Sequence, residues 1–181
     1  MTGVQTCALP IYAIEKLIAG GRVLAGSRCD LARSSVAVAV KAGAPVPDIS
    51  TESALRGAIE TAPTIGYSTG PSGVELVKLF ERWGILDHVR PRIVQAPPGI
   101  PVGALVARGE VALGFQQMSE LMHLEGISVV GTLPAAVSIT TIFTAAICAA
   151  STQGEALARL LAFMAAPEAA QTKLRHGMQQ A

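Results

Sequence analysis

Three short stretches concentrate the groups that could hold an anion. Residues 67–73 read Tyr-Ser-Thr-Gly-Pro-Ser-Gly, residues 95–100 read Gln-Ala-Pro-Pro-Gly-Ile, and residues 115–119 read Phe-Gln-Gln-Met-Ser. Each follows a short apolar run and precedes a helical pattern, so each is expected to turn a strand into a helix. The first N–H groups of a helix lack intrahelical partners and sit at the positive end of its dipole, which suits them to an anion. None of the three turns contains Lys or Arg, so an oxyanion would be held by neutral donors alone. The candidate ligand residues are Ser72 and Gly73 in the first turn, Gly99 and Ile100 in the second, and Gln117 in the third. Backbone N–H groups, the Ser72 hydroxyl and the Gln117 amide would supply the donors. Local sequence alone equally allows Ser72 as an ordinary helix cap and Gln117 as a solvated helix start.

Other chemistry is poorly provided for. No Gly-Lys-Ser/Thr follows the loop at residues 68–73, and there is neither a Gly-x-Ser-x-Gly elbow nor a His-Glu-x-x-His pair. His88, His123 and His176 are scattered and read as surface or locally capped groups. Glu110, Glu120 and Glu125 read as solvated helix residues. No catalytic constellation, cofactor or metal site is expected.

The elements that must position these turns alternate along the chain. Val36, Val38 and Val40 interleave with Ala37 and Ala39, the pattern of a buried strand. Ser50 or Thr51 can cap a helix with apolar positions Leu55, Ala58 and Ile59. A short strand at residues 64–67 leads to a helix whose stripe is Leu76, Leu79, Phe80 and Trp83. Further strands are expected at residues 92–95, 111–115, 127–130 and 138–147, and helices at about 100–108, 155–164 and 167–176. Leu157, Leu160, Leu161 and Met164 mark one face of the penultimate helix. Alternation of this kind predicts an α/β fold on a mostly parallel sheet, in which ligands bind beyond the carboxyl ends of the strands.

Composition narrows the partners. Half of the 181 residues are hydrophobic, and 14 Lys+Arg against 13 Asp+Glu leave a formal charge of +1. No basic cluster exceeds two adjacent residues, so neither nucleic acid nor an anionic membrane surface is an expected partner. Between Glu125 and Glu155 run 29 uncharged residues, but their Ser, Thr, Pro134 and β-branched content reads as two buried strands rather than a membrane span. Cys29 and Cys148 stand in no metal or redox motif and read as two buried thiols. Residues 1–11, Met-Thr-Gly-Val-Gln-Thr-Cys-Ala-Leu-Pro-Ile, resemble a translated sequencing adapter and are set apart from the fold.

Pro71-Ser72-Gly73, residues 105–110 (Leu-Val-Ala-Arg-Gly-Glu), Gly114-Phe115-Gln116-Gln117 and residues 166–170 (Ala-Pro-Glu-Ala-Ala) together resemble the substrate-binding proteins of molybdate-type ABC transporters. That resemblance covers roughly residues 13–181. It implies a type II periplasmic-binding fold of two α/β lobes joined by crossing strands, with residues 12–43 and 144–181 in a partial first lobe and 44–143 in the second. It implies a monomer outside the cytoplasm, its signal peptide lost with a missing N-terminus, that closes on a small anion and presents it to a membrane permease. The ligand would be a molybdate- or tungstate-like oxyanion or an organic acid. Ser72, Gly73, Gly99, Ile100 and Gln117 would be the second lobe's share of the site. Molybdate binders often carry Tyr where this chain has Gln117, a departure from the molybdate pattern; an amide both donates and accepts, which would also suit a carboxylate. An aconitate isomerase of the same fold and the effector domain of LysR-type regulators are the alternative relatives.

Overall fold

The computed structural model describes residues 6–181; of the segment set apart as adapter-like, Met1–Gln5 lie outside the described residues. In chain order the elements are β1 (Thr6–Pro10), α1 (Ile11–Ala19), β2 (Cys29–Lys41), α2 (Glu52–Thr61), β3 (Ile65–Ser68), α3 (Pro71–Arg82), α4 (Leu86–Val89), β4 (Ile93–Ala96), α5 (Val102–Arg108), β5 (Leu113–Gln117), α6 (Met118–Leu121), β6 (Ile127–Thr132), β7 (Thr140–Ile147), α7 (Gly154–Ala165), α8 (Ala170–Arg175) and β8 (Gln179–Gln180). The expected α/β alternation is present. The chain divides into two compact units, one made of residues up to 34 with Thr141–Ala181, the other of Ser35–Thr140.

The second unit carries the three turns. Its sheet runs β6-β2-β5-β3-β4, with β3 parallel to both β4 and β5 while β2 lies antiparallel to β5 and β6. Strand alternation sorts its side chains by face. Val36, Val38, Ile65, Tyr67, Leu113 and Phe115 join Leu55, Ile59, Leu76 and Phe80 of α2 and α3 in the larger core. The opposite face is built from small residues. Gly66 and Gly114 are register partners on β3 and β5, and α5 packs directly over them. A Cβ at Gly114 would stand 2.4 Å from Val106, and one at Gly66 would stand 2.7 Å from Val111. Ala96, Val102, Leu105, Val106 and Val111 fill the core on that side. Two adjacent glycines thus let α5 sink onto the sheet and bring its first turn level with the strand ends.

Local signals behave as expected in several places. Thr51 is the N-cap of α2 and its side chain accepts from Ala54 N at 3.1 Å, while Trp83 closes α3 and donates its ring N–H to Glu52 at 2.6 Å. The uncharged stretch after Glu125 folds as β6, a 3-10 turn at Ala135–Val137, and β7. No helix among the described residues is long and apolar enough to cross a membrane.

In the first unit, β1 pairs antiparallel with β7, from Thr6 opposite Ile147 to Pro10 opposite Phe143, so residues 6–10 take part in the sheet instead of standing apart from it. Ala32 and Arg33 of β2 pair with Gln180 and Gln179. Leu31, Ala145, Ile147 and Leu161 form one small core and Ile14, Val23 and Ala146 another. Of the stripe expected on α7, Leu161 is buried and Leu157 is half-buried against the same small core, which also takes Ala165, whereas Leu160 and Met164 are exposed on the flank of that line. Cys29 and Cys148 are free thiols, and both are half-buried rather than buried. Thr144 is fully buried and donates to Asp30 at 2.6 Å, which with nearby Arg28 holds the Asp30 carboxyl below its usual range.

Candidate functional site

Because β4, β3 and β5 run parallel, their carboxyl ends at Ala96, Ser68 and Gln117 lie on one side of the second unit. The polar turns therefore meet there. Ser68 and Thr69, residues 96–101, Gln116 and Glu120 line a cavity of about 240 Å³. Neither Lys nor Arg is among them. Ser68 and Thr69 also line a neighbouring cavity of about 350 Å³, which reaches Gly73, Val77, Lys78 and Glu81 along α3 and Gln95 on β4.

The start of α3 is a neutral donor site held in place by a glycine. Gly70 is its N-cap and no side chain caps it. Gly73 and Val74 both donate to the Gly70 carbonyl, at 3.0 and 3.3 Å, and Pro71 has no N–H. Ser72 N–H is left as the orphan donor of the turn. Ser72 is thus the second helical residue, buried, and not the cap. Gly73 packs so closely on β3 that a Cβ would lie 2.0 Å from the Ser68 carbonyl oxygen and 2.9 Å from the Tyr67 ring. Its role is close approach, which keeps the helix start against the strand end. Tyr67 is itself 8% exposed, and burial pushes its phenol up against a smaller opposing pull from Arg90.

The start of α5 is different. The helix begins at Val102 with Pro101 as N-cap, two residues later than the expected start at Ile100. Gly99 has φ +81° and Ile100 N–H donates to the Pro97 carbonyl at 3.1 Å, so this N–H belongs to the loop turn, not to a helix terminus. Gly103 N–H, in the first turn, donates to Gln116 Oε1 at 3.3 Å, and Gln116 Nε2 donates to Glu120 Oε2. A side chain on β5 thus occupies a helix amide that the sequence reading left open to ligand.

Alternation along β5 explains which glutamine does this. Gln116 shares the face of Gly114, under α5, whereas Gln117 shares the face of Leu113 and Phe115. Gln117 is buried, stands opposite Val36 across the ladder and is the N-cap of α6; it is outside the lining of the 240 Å³ cavity. The structure brings the Ser68–Thr69 turn, Gly99 and Ile100 together at that cavity, and places Ser72 and Gln117 elsewhere. Gln116 and Glu120 are the lining residues that sequence reasoning passed over. The interleaving of Gly114 between Leu113 and Phe115 already carried the signal for Gln116.

The chain matches the bacterial extracellular solute-binding proteins over residues 10–179. It belongs to that family. Aconitate isomerase from a Pseudomonas species is 41% identical over 158 residues, covering 87% of this chain and 60% of the enzyme, so the chain spans less than two thirds of that relative's length. The periplasmic molybdate-binding protein of Azotobacter vinelandii superposes with a TM-score of 0.73 at 22% identity, over 96% of this chain and 77% of that one. PEB3, a Campylobacter jejuni protein solved with L-phospholactate bound, gives 0.74 at 10% identity over 99% and 81%. At such identities these likenesses are of fold, and the fold is that of periplasmic binding proteins. In this solute-binding protein the carboxyl-end cavity has the location expected for ligand in an open α/β sheet.

Proposed function

We propose that the chain captures a small oxyanion or carboxylate at the carboxyl ends of β3, β4 and β5 and delivers it, outside the cytoplasm, to an ABC-type permease. The observation that carries this reading is a polar cavity lined by the Ser68 and Thr69 hydroxyls and the Gln116 amide, with Glu120 its one charged residue and no Lys or Arg. Neutral preorganised donors hold an anion without burying a counter-charge, and leave release open when the protein rearranges. The Ser68 and Thr69 hydroxyls are the proposed contacts in this cavity, with Gly99 setting its backbone, while the Ser72 N–H and Gly73 stand beside it at the start of α3. The protein acts as a monomer in this reading. The family match begins at residue 10, and resequencing the source DNA across the codons for residues 1–11 tests the reading of that segment as adapter-derived. For binding itself, a 15N-labelled sample titrated with molybdate, phosphate and citrate should show saturable shifts at Ser68, Thr69 and Ser72. Shifts spread evenly over the molecule, or none, would remove the site.

A second reading, an isomerase acting on aconitate, is favoured by the 41% identity to such an enzyme and by Glu120 in the cavity. Moving the double bond of aconitate takes a proton from the allylic methylene and returns it to the far alkene carbon, with no net change of electrons or protons. Glu120 is the carboxylate in the cavity positioned to accept and return that proton. Interconversion of cis- and trans-aconitate, followed by proton NMR, tests this reading; its absence sinks it.

A further inference from the structure

We infer that Glu120 makes this cleft select a hydroxy acid and turn away tetrahedral oxodianions; the inference rests on the anion-capture reading above. Gln116 is only 4% exposed and both ends of its amide are engaged. Gly103 N–H can only donate, so it fixes the oxygen end of the amide at α5. The nitrogen end must then face Glu120, to which it donates through Oε2. This chain of donors, from helix to glutamine to carboxylate, holds the exposed Glu120 side chain at the cavity rim and engages Oε2 alone, leaving Oε1 available. Among the described residues no Lys, Arg or His forms an ion pair with Glu120, and no basic side chain lines the cavity. A carboxylate offers acceptors only. Molybdate and sulfate also offer acceptors only, so one placed here would meet an uncompensated like charge with no proton to share. A ligand that carries carboxylates plus a hydroxyl can turn its carboxylates to the neutral donors at Ser68 and Thr69 and its hydroxyl to Glu120. A site built to receive a hydroxyl also discriminates strongly against the analogue without one, because the acceptor is then left unpaired.

The test uses the full chain, 15N-labelled, with citrate, its deoxy analogue tricarballylate, and molybdate as probes, read at the Gln116 side-chain amide and the Ser68 and Thr69 amides. We expect citrate to bind about tenfold or more tighter than either of the others. In Glu120→Gln, molybdate should gain about tenfold while the advantage of citrate over molybdate collapses. Equal affinity for citrate and tricarballylate, or an unchanged citrate-to-molybdate ratio in the variant, overturns the role of Glu120 while leaving the site intact. If no probe moves these resonances, the capture reading itself fails. Should Glu120→Gln fold poorly, the wild-type chain answers the same question through citrate against tricarballylate, which differ by the hydroxyl alone.

Discussion

The starts of α3 and α5 follow neighbouring parallel strands in one sheet, yet they are finished in opposite ways. At α3 no side chain caps the helix, Gly73 presses the first turn against Ser68, and Ser72 N–H remains open. At α5 the first-turn amide of Gly103 is taken by Gln116, which passes its own N–H to Glu120. One strand end therefore offers donors and its neighbour offers an acceptor. The contrast shows that the βα topology supplies only the place for a ligand; what the place can bind is set by one or two side chains under each helix start. It also explains why the cavity has mixed polarity without containing a single basic residue.

The comparison breaks most severely at Gly73. In Gly73→Ala the new methyl falls 2.0 Å from a backbone oxygen, so α3 must move off the sheet, with an expected loss of about 3 kcal/mol and of anion binding. Gly99→Ala is the matched control: φ there is +81° but nothing lies within 4 Å of the added carbon, so backbone strain alone should cost about 1 kcal/mol. Urea unfolding of the two variants measures both, and equal losses would contradict the close-approach role of Gly73. At the other helix start, Gln116→Leu strands the buried Gly103 N–H and frees Glu120, for about 2 kcal/mol. It should also alter ligand preference, whereas the α3 turn keeps its chemical shifts. A smaller effect is expected at α2, whose start is satisfied locally: Thr51→Ala should cost about 1 kcal/mol and leave ligand titrations unchanged.

These differences were unevenly legible in the sequence. The valine alternation of β2, the Thr51 cap and the Leu76–Leu79–Phe80 stripe of α3 follow from local periodicity, and they were readable because each depends on neighbours within one or two turns. The start of α5 was misplaced by two residues because Pro97-Pro98-Gly99 closes a turn of its own, using the Ile100 N–H, before the helix begins. Glu120 is exposed, as its reading as a solvated helix residue expects; its place at the cavity was not legible, since that depends on α5 sinking over Gly66 and Gly114, which are 48 positions apart in sequence and adjacent only through the β3–β5 register. In the first unit, the apolar face of α7 was readable as a stripe, but how little of it the unit buries was not, because that depends on the size of the core it meets.

The finest distinction between the two helix starts lies in Tyr67, which belongs to the α3 side and supports the turn from below. Burial raises its phenol above the ordinary value of 10.0, against the pull of Arg90. A phenol ionises to an anion, so a raised value means that the folded protein holds this proton more tightly than the unfolded chain does. The corresponding stability is fully present below about pH 10 and is lost as the pH rises through the folded value, because stability falls with pH wherever the native state binds more protons. Tyr67→Phe removes the titrating group while keeping the ring that Gly73 packs against. The variant should match the wild type at neutral pH to within about 1 kcal/mol, since the Tyr67 hydroxyl has no hydrogen-bond partner among the described residues and its removal leaves none unpaired. Above pH 10 its urea midpoint should fall less steeply. Parallel alkaline limbs in the two proteins would mean that the turn at Ser68 is held by Gly73 alone, with the tyrosine proton contributing nothing to it.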